Sequence, residues 1–317
     1  MEYVRLGDTG LEVSRLCFGT WRFGKESDGV LETDREGAHA LLDACAERGV
    51  NFIDTANIYG GGQSEAWIGE WLAERDREDY VVASKVYGAI ESRHESNLSR
   101  KNVRAEIEGT LDRLDTDYLD LYYIHRWDDE TPIHETLRTL QTLVDEGKVH
   151  YLGASKMAAW KLTKALWTSD ADGLERFDVT QPRFNAAYRE PTVPFLEVCA
   201  DQGLAVCPYS PLEGGFLTGK YERDGTAPDG SRVDLEGWFD HLDERAWDAL
   251  EAVEAVAGEV DATPAQVALR WLMDQGDYTC VPIVGARTVE QLEENVGAVD
   301  VSLADDQVER ITDAYWD

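Results

Sequence analysis

Residues 51–85 read NFIDTANIYGGGQSEAWIGEWLAERDREDYVVASK, and the two ends of this stretch, 51–55 and 80–85, set the reading of the whole chain. Each end is a short apolar run rich in β-branched and aromatic residues, of the length of a strand buried on both faces. Six more runs of the same kind flank them, at 15–18 upstream and at 119–125, 150–155, 178–184, 203–208 and 279–284 downstream. Between the runs lie segments with apolar residues at helical spacing, including 36–48, 100–114, 133–146, 157–168, 193–201, 264–273 and 289–296. Strand followed by helix, repeated, requires parallel pairing and right-handed crossovers. Eight such units in 317 residues predict an α/β fold of the (β/α)8 TIM barrel type, forming one domain over 1–317. An open doubly wound sheet would instead carry a G-x-G-x-x-G loop after its first strand, and none follows Phe18. The glycine clusters at 60–62 and 214–219 lack the spacing of a P-loop and read as loops. Residues 220–241, rich in Gly and Asp, read as a long loop with a short helix at most. Asp8, Thr9 and Gly10 predict the turn of an N-terminal β-hairpin over 3–14 that closes the barrel floor.

Composition bounds the partners. The chain carries 63 acidic and 30 basic residues, a formal charge of −33, spread along its whole length. Without a basic stripe, neither nucleic acid nor an anionic membrane is an expected partner. A surplus of one sign keeps a protein soluble where salt screens its self-repulsion, so the composition predicts a halophilic protein. Cys17, Cys45, Cys199, Cys207 and Cys280 are scattered and mostly sit in apolar runs. They read as buried thiols of a reducing, cytoplasmic compartment rather than as disulfides or metal ligands. Neither a signal core near the N-terminus nor a run of about 18 apolar residues is found.

In a barrel of this type the chemistry sits where the strands end. Asp54 ends the second run, Tyr59 lies five residues into the following loop, Lys85 ends the third run, and His125 ends the fourth. Taken singly they read as a helix cap, a packed ring, a rim lysine and a satisfied histidine. Taken together they suit carbonyl reduction. That reaction needs a proton donor at the carbonyl oxygen, and a phenol with a pKa near 10 needs a cation to stabilise its anion. Lys85 supplies the cation, Asp54 pairs with Lys85, and His125 orients the carbonyl.

Here the sequence resembles the aldo-keto reductase superfamily, from residue 4 to about residue 300. DTANIY (54–59) followed by GGGQSEAWIG (60–69), VASK (82–85) and DYLDLYYIH (117–125) are similar to the family's active-site segments, in order. The stretch 125–155 resembles the aryl-alcohol dehydrogenase-like branch, near the potassium-channel β-subunits. The resemblance assigns Asp54, Tyr59, Lys85 and His125 as the catalytic tetrad. It implies that Ser155 and Gln181 hold the nicotinamide carboxamide and that Tyr209, in PYSPL, stacks on the ring. Ser210, Leu212, Gly214 and the LTGK run ending at Lys220 resemble the strap over the pyrophosphate. GARTVEQLEEN, 285–295, resembles the adenosine site: it opens on Gly285, Arg287 and Gln291 would meet a 2′-phosphate, and Glu294 with Asn295 the adenine. NADP is therefore favoured over NAD. Many family members carry Asn after the serine, where this chain has Lys156. Trp21, Tyr87 and Trp127 are expected to wall a pocket for an apolar, aromatic or sugar carbonyl.

The expected activity is interconversion of an aldehyde or ketone and its alcohol by hydride transfer from NAD(P)H. Two alternatives stand beside it. One is a cofactor-bound regulatory subunit, as in the channel relatives; the other is a Schiff-base aldolase using Lys85. The substrate depends on loops at 24–34 and 220–241, which follow no physical pattern, and the oligomeric state is open.

Overall fold

Each of the eight runs contains a strand. In the computed structural model, which describes residues 1–27, 30–90, 96–189, 192–223, 242–276 and 278–316, β1 (Tyr3–Arg5) and β2 (Glu12–Ser14) form an antiparallel hairpin. The barrel strands are β3 (Cys17–Gly19), β6 (Phe52–Asp54), β7 (Val81–Val86), β8 (Leu119–Ile124), β9 (Val149–Ser155), β10 (Val179–Gln181), β11 (Ala205–Val206) and β12 (Ile283–Val284). The short ribbon β4 (Glu26–Ser27) and β5 (Val30–Leu31) lies in the loop after β3. The parallel order is β11-β10-β9-β8-β7-β6-β3-β12. The sheet closes on itself through Val206, whose N–H donates to the Thr279 carbonyl (2.8 Å) and whose carbonyl accepts from Val281 N–H (2.9 Å). The result is a (β/α)8 barrel.

Successive side chains on a strand point to opposite faces, and the two faces are used differently. Cys17, Phe52, Ala83, Leu121, Tyr123, Val179 and Cys207 fill the barrel interior, together with Leu6 and Val13 of the hairpin. Phe18, Ile53, Val82, Tyr122 and Leu152 belong to the larger cluster formed with the helices. The predicted hairpin therefore stoppers one end of the barrel. Its turn is tied by Leu6 N–H donating to the Leu11 carbonyl (2.9 Å) and Thr9 Oγ1 donating to the Leu6 carbonyl (2.8 Å).

The helices are α1 (Arg35–Glu47), α2 (Gln63–Leu72), α3 (Arg100–Leu114), α4 (Ile133–Asp145), α5 (Ala159–Asp172), α6 (Val193–Asp201), α7 (Glu244–Val260), α8 (Pro264–Met273), α9 (Val289–Val296) and α10 (Asp305–Ala314). Side-chain caps mark several starts: Asp34 accepts from Gly37 N–H, Ser99 from Asn102, and Thr263 from Gln266, with Pro264 in the first turn. The expected helices did not include α2, α7 or α10. α2 starts at Gly62 and α10 at Ala304, neither of which offers a capping oxygen, so their beginnings carry no side-chain signal. α7 has its cap, Asp243, but follows the unpatterned stretch 220–241, most of which lies outside the described residues, as do 28–29 of the other specificity loop.

All five cysteines are buried, and burial pushes the Cys199 and Cys280 thiols up to about 12. They act as small apolar side chains. Among the described residues no helix is long and apolar enough to cross a membrane.

Candidate active site

The register of the sheet sets Gly19 beside Asp54, Asp54 beside Ala83, and Ser155 beside Gln181, which brings the C-terminal ends of these strands to one rim. From Asp54 the chain runs through Thr55 to Asn57 and turns at Tyr59–Gly62. Gly60, Gly61 and Gly62 have φ of 56°, 65° and 95°, a succession that only glycine adopts without strain, and Gly62 then opens α2. Asn57 anchors the turn by donating to the Gly88 carbonyl (2.8 Å) and to buried Glu106 Oε2 (2.9 Å).

Lys85 is fully buried, so its ammonium needs partners on every proton. It has them: Nζ donates to Asp54 Oδ1 (2.5 Å), to the Thr55 carbonyl (2.7 Å) and to Tyr59 OH (3.3 Å). The second oxygen of Asp54 accepts from Gln181 Nε2 (2.8 Å), and the Gln181 carbonyl accepts from Ser155 Oγ (2.7 Å). His125 presents its ring edge-on to Tyr59, centroids 6.0 Å apart and planes at 78°. The four expected residues and both carboxamide candidates thus form one connected group.

Lys85 favours the Tyr59 anion, as expected, but it does not act alone. Burial pushes the Tyr59 phenol above its ordinary value; Lys85 pulls it down, but the Asp54 charge opposes Lys85 and burial prevails. Tyr59 is therefore held as a protonated acid rather than tuned toward neutrality. Burial pulls the Lys85 ammonium down, yet Asp54 and Tyr59 outweigh it and hold it raised, hence charged. Burial raises the Asp54 carboxyl against the opposing pull of Lys85 and Gln181. His125 is brought down to about 2 by burial and by the positive charges of Lys85, Lys156 and Arg126, so it is neutral.

These residues open onto a cleft of about 860 Å³. Of the expected residues, Trp21, Asp54, Tyr59, His125, Gln181, Tyr209, Ser210, Leu212, Gly214, Lys220, Gly285, Arg287, Gln291, Glu294 and Asn295 line it. Lys85 and Ser155 are fully buried and are not among the lining residues. Tyr87 and Trp127, expected as pocket walls, do not line it. Tyr87 accepts from Arg126 Nη2 (2.9 Å), under whose guanidinium its ring lies, while Trp127 packs with Trp160 and Lys161. Aromatic character signals burial, not which side of a loop the ring takes. Lining residues that the sequence reading passed over include Arg22, Lys25, Ile58, Ile283 and Val284. Ile283 and Val284 end a barrel strand and had a positional signal; Arg22 and Lys25 lie in a patternless loop, where both pair with Glu32.

The loop beyond Tyr209 is fastened from behind. Glu213, fully buried, pairs with Arg183 and accepts from Asn185 Nδ2 (2.6 Å), which also donates to the Ser210 carbonyl (2.9 Å). Gly214 and Gly215 then turn with φ of 66° and 97°, bringing Lys220 to the cleft. α9 begins beside it, capped by Thr288, and Gln291 Oε1 accepts from Arg287 N–H (2.9 Å). Among the described residues, five basic side chains line the cleft (Arg22, Lys25, Lys156, Lys220, Arg287), against two acidic ones (Asp54, Glu294). In so acidic a chain, that inversion suits an elongated, polyanionic ligand with a flat ring at the Tyr209 end.

Comparison with known proteins agrees in extent. The Aldo/keto reductase family model matches residues 15–315, further toward the C-terminus than the sequence resemblance reached. Norsolorinic acid reductase B of Aspergillus parasiticus is 38% identical over 318 residues, covering 96% of this chain and 81% of the relative. A probable voltage-gated potassium channel subunit beta of Arabidopsis thaliana is 35% identical, covering 95% of this chain and 92% of the relative. The crystal structure of a thermostable aldo-keto reductase bound to the inhibitor epalrestat superposes with a TM-score of 0.78 at 31% identity, covering 99% of this chain and all of that one.

Proposed function

The chain belongs to the aldo/keto reductase family, and from that membership we propose that it is a single-domain, cytoplasmic, NADP-dependent oxidoreductase that interconverts a small aldehyde or ketone and its alcohol. The observation that carries this reading is the continuity of one cleft from Tyr59 and His125 past Tyr209 to Lys220, Arg287 and Asn295. Gln181 and Ser155 would hold the carboxamide, Tyr209 the ring face, the 210–220 loop the pyrophosphate, and Arg287 with Gln291 the 2′-phosphate. When bound, the reduced nicotinamide supplies the two-electron equivalent that the carbonyl carbon accepts.

The chain's own residues act at the carbonyl oxygen. Tyr59, held as a phenol, releases its proton to that oxygen as negative charge develops there. The Lys85 ammonium, 3.3 Å away, stabilises the phenolate left behind, and Asp54 keeps Lys85 in place. A neutral imidazole carries one N–H donor, which suits His125 to hold the same oxygen and orient the carbon.

Replacing Tyr59 with Phe removes only the donor. Turnover of 4-nitrobenzaldehyde is expected to fall about 10²- to 10⁴-fold, with NADPH binding, followed by fluorescence titration, nearly intact; turnover near that of the wild type refutes the assignment. Arg287→Ala is expected to weaken NADPH much more than NADH, since only the former carries the monoester that a guanidinium grips. Equal losses would show that Arg287 reads something else.

Both alternatives are separable. For a regulatory subunit, tight cofactor binding would persist with no carbonyl turned over in a panel of aldehydes and short aldoses. The aldolase reading is disfavoured by Lys85 itself: a charged amine with three occupied protons is a poor nucleophile, and borohydride with substrate is expected to trap no adduct on it.

A further inference from the structure

The cations of the cleft fall into separate groups. Arg22 and Lys25 pair with Glu32. Lys220 feels the charges of Arg287 and Arg22. Lys156 stands apart, and the charges that bear on it are Lys85 and Arg126, at the Tyr59 end. It follows Ser155 at the tip of β9 with φ of 49°, lines the cleft, and is open to solvent there. Its Nζ lies 5.5 Å from the centroid of the Tyr209 ring. No carboxylate among the described residues pairs with it. The one acidic side chain among the described residues that line this end, Asp54, already serves Lys85 and Gln181.

An ammonium that lines the cleft beside the Tyr209 ring, with no carboxylate paired to it among the described residues, is left available to a ligand that brings negative charge. The phosphates of a dinucleotide do not supply that charge if they lie at the Lys220 and Arg287 end. We infer that Lys156, in the field of Arg126 and Lys85, is an anion subsite for the substrate, and that the preferred substrates are carbonyl compounds bearing a carboxylate, such as oxo acids and acidic aldehydes. Arg126 is exposed on the loop after β8, with its guanidinium 4.1 Å from the centroid of the Tyr87 ring, and would add to the attraction from the rim. The inference rests on the reading of this cleft as a carbonyl-reducing site, and deepens it by naming the substrate class.

The test pairs 3- and 4-carboxybenzaldehyde with their methyl esters, NADPH saturating and ionic strength fixed. In the wild-type enzyme kcat/KM for the acids is expected to exceed that for the esters by about tenfold, the usual worth of one charge-assisted contact. Lys156→Gln is expected to abolish the preference through a raised KM for the acids, and Lys156→Arg to restore most of it. Reduction of the esters with no preference for the acids overturns the subsite while sparing the reductase reading. So does an equal loss for acid and ester in Lys156→Gln together with a raised KM for NADPH, which would make Lys156 a cofactor contact. Turnover of neither acid nor ester by the wild type defeats the reductase reading itself, and the subsite with it.

Discussion

The proton on Tyr59 is subject to three influences: burial and the Asp54 charge hold it on, and the Lys85 charge draws it off. The first two win, so the acid form persists past the ordinary phenol value of 10. His125 cannot add a second ionisation near neutrality, since it stays unprotonated down to about 2. A group that must be protonated to act, with its pKa raised, gives a rate that is level below that pKa and falls above it. The kcat/KM for carbonyl reduction is therefore expected to stay flat from pH 5 to 9 and to decline only beyond about 10. A break near 6.5 would implicate His125, and one near 8 would mean that Lys85 dominates Tyr59 after all. The identities of these residues were legible because strand ends in a barrel converge whatever lies between them. The sign of the Tyr59 shift was not, because it is a sum of opposing terms set by distances that appear only in three dimensions. The same limit explains Tyr87 and Trp127, which chose Arg126 and Trp160 as neighbours.

Helices make the contrast between local and tertiary rules measurable. Gly69 and Gly258 both sit within helices, α2 and α7, where alanine is intrinsically the better residue. A Cβ on Gly258 meets nothing within 4 Å, whereas one on Gly69 would come 2.6 Å from the Arg113 carbonyl and 2.7 Å from Leu114 C, both backbone. Gly258→Ala is expected to stabilise by about 0.5–1 kcal/mol. Gly69→Ala is expected to destabilise by about 1–3 kcal/mol, because α2 must be pushed off the end of α3. Denaturant midpoints of the two variants should move in opposite directions; a stabilised Gly69→Ala would mean that the two helices part at little cost. Sequence pattern located the helices that begin at Asp34, Ser99, Thr263 and Thr288, where a capping side chain announces the start. It passed over α2, whose start is made by three left-handed glycines and whose packing depends on a residue with no side chain.

For the molecule as a whole, charge is the largest quantity in view. Even if every basic residue were paired, 33 carboxylates would be left to repel one another. Exposed ion pairs such as Arg104 with Glu146 contribute about 0–1 kcal/mol each and weaken in salt, so the repulsion decides the sign. Raising KCl from 0.1 to 1 M shortens the screening length from about 10 Å to about 3 Å. The melting temperature is expected to rise across that range by scanning calorimetry, and a constant or falling value would remove the case for halophily. The net charge, unlike the pocket walls, was legible from composition, since it needs no fold to be counted. The hairpin carrying Leu6 and Val13 has a different bearing on the whole. By capping the far end of a barrel already filled with side chains, it seals that core from below and leaves the cleft at the strand C-termini to be entered and left through its own mouth.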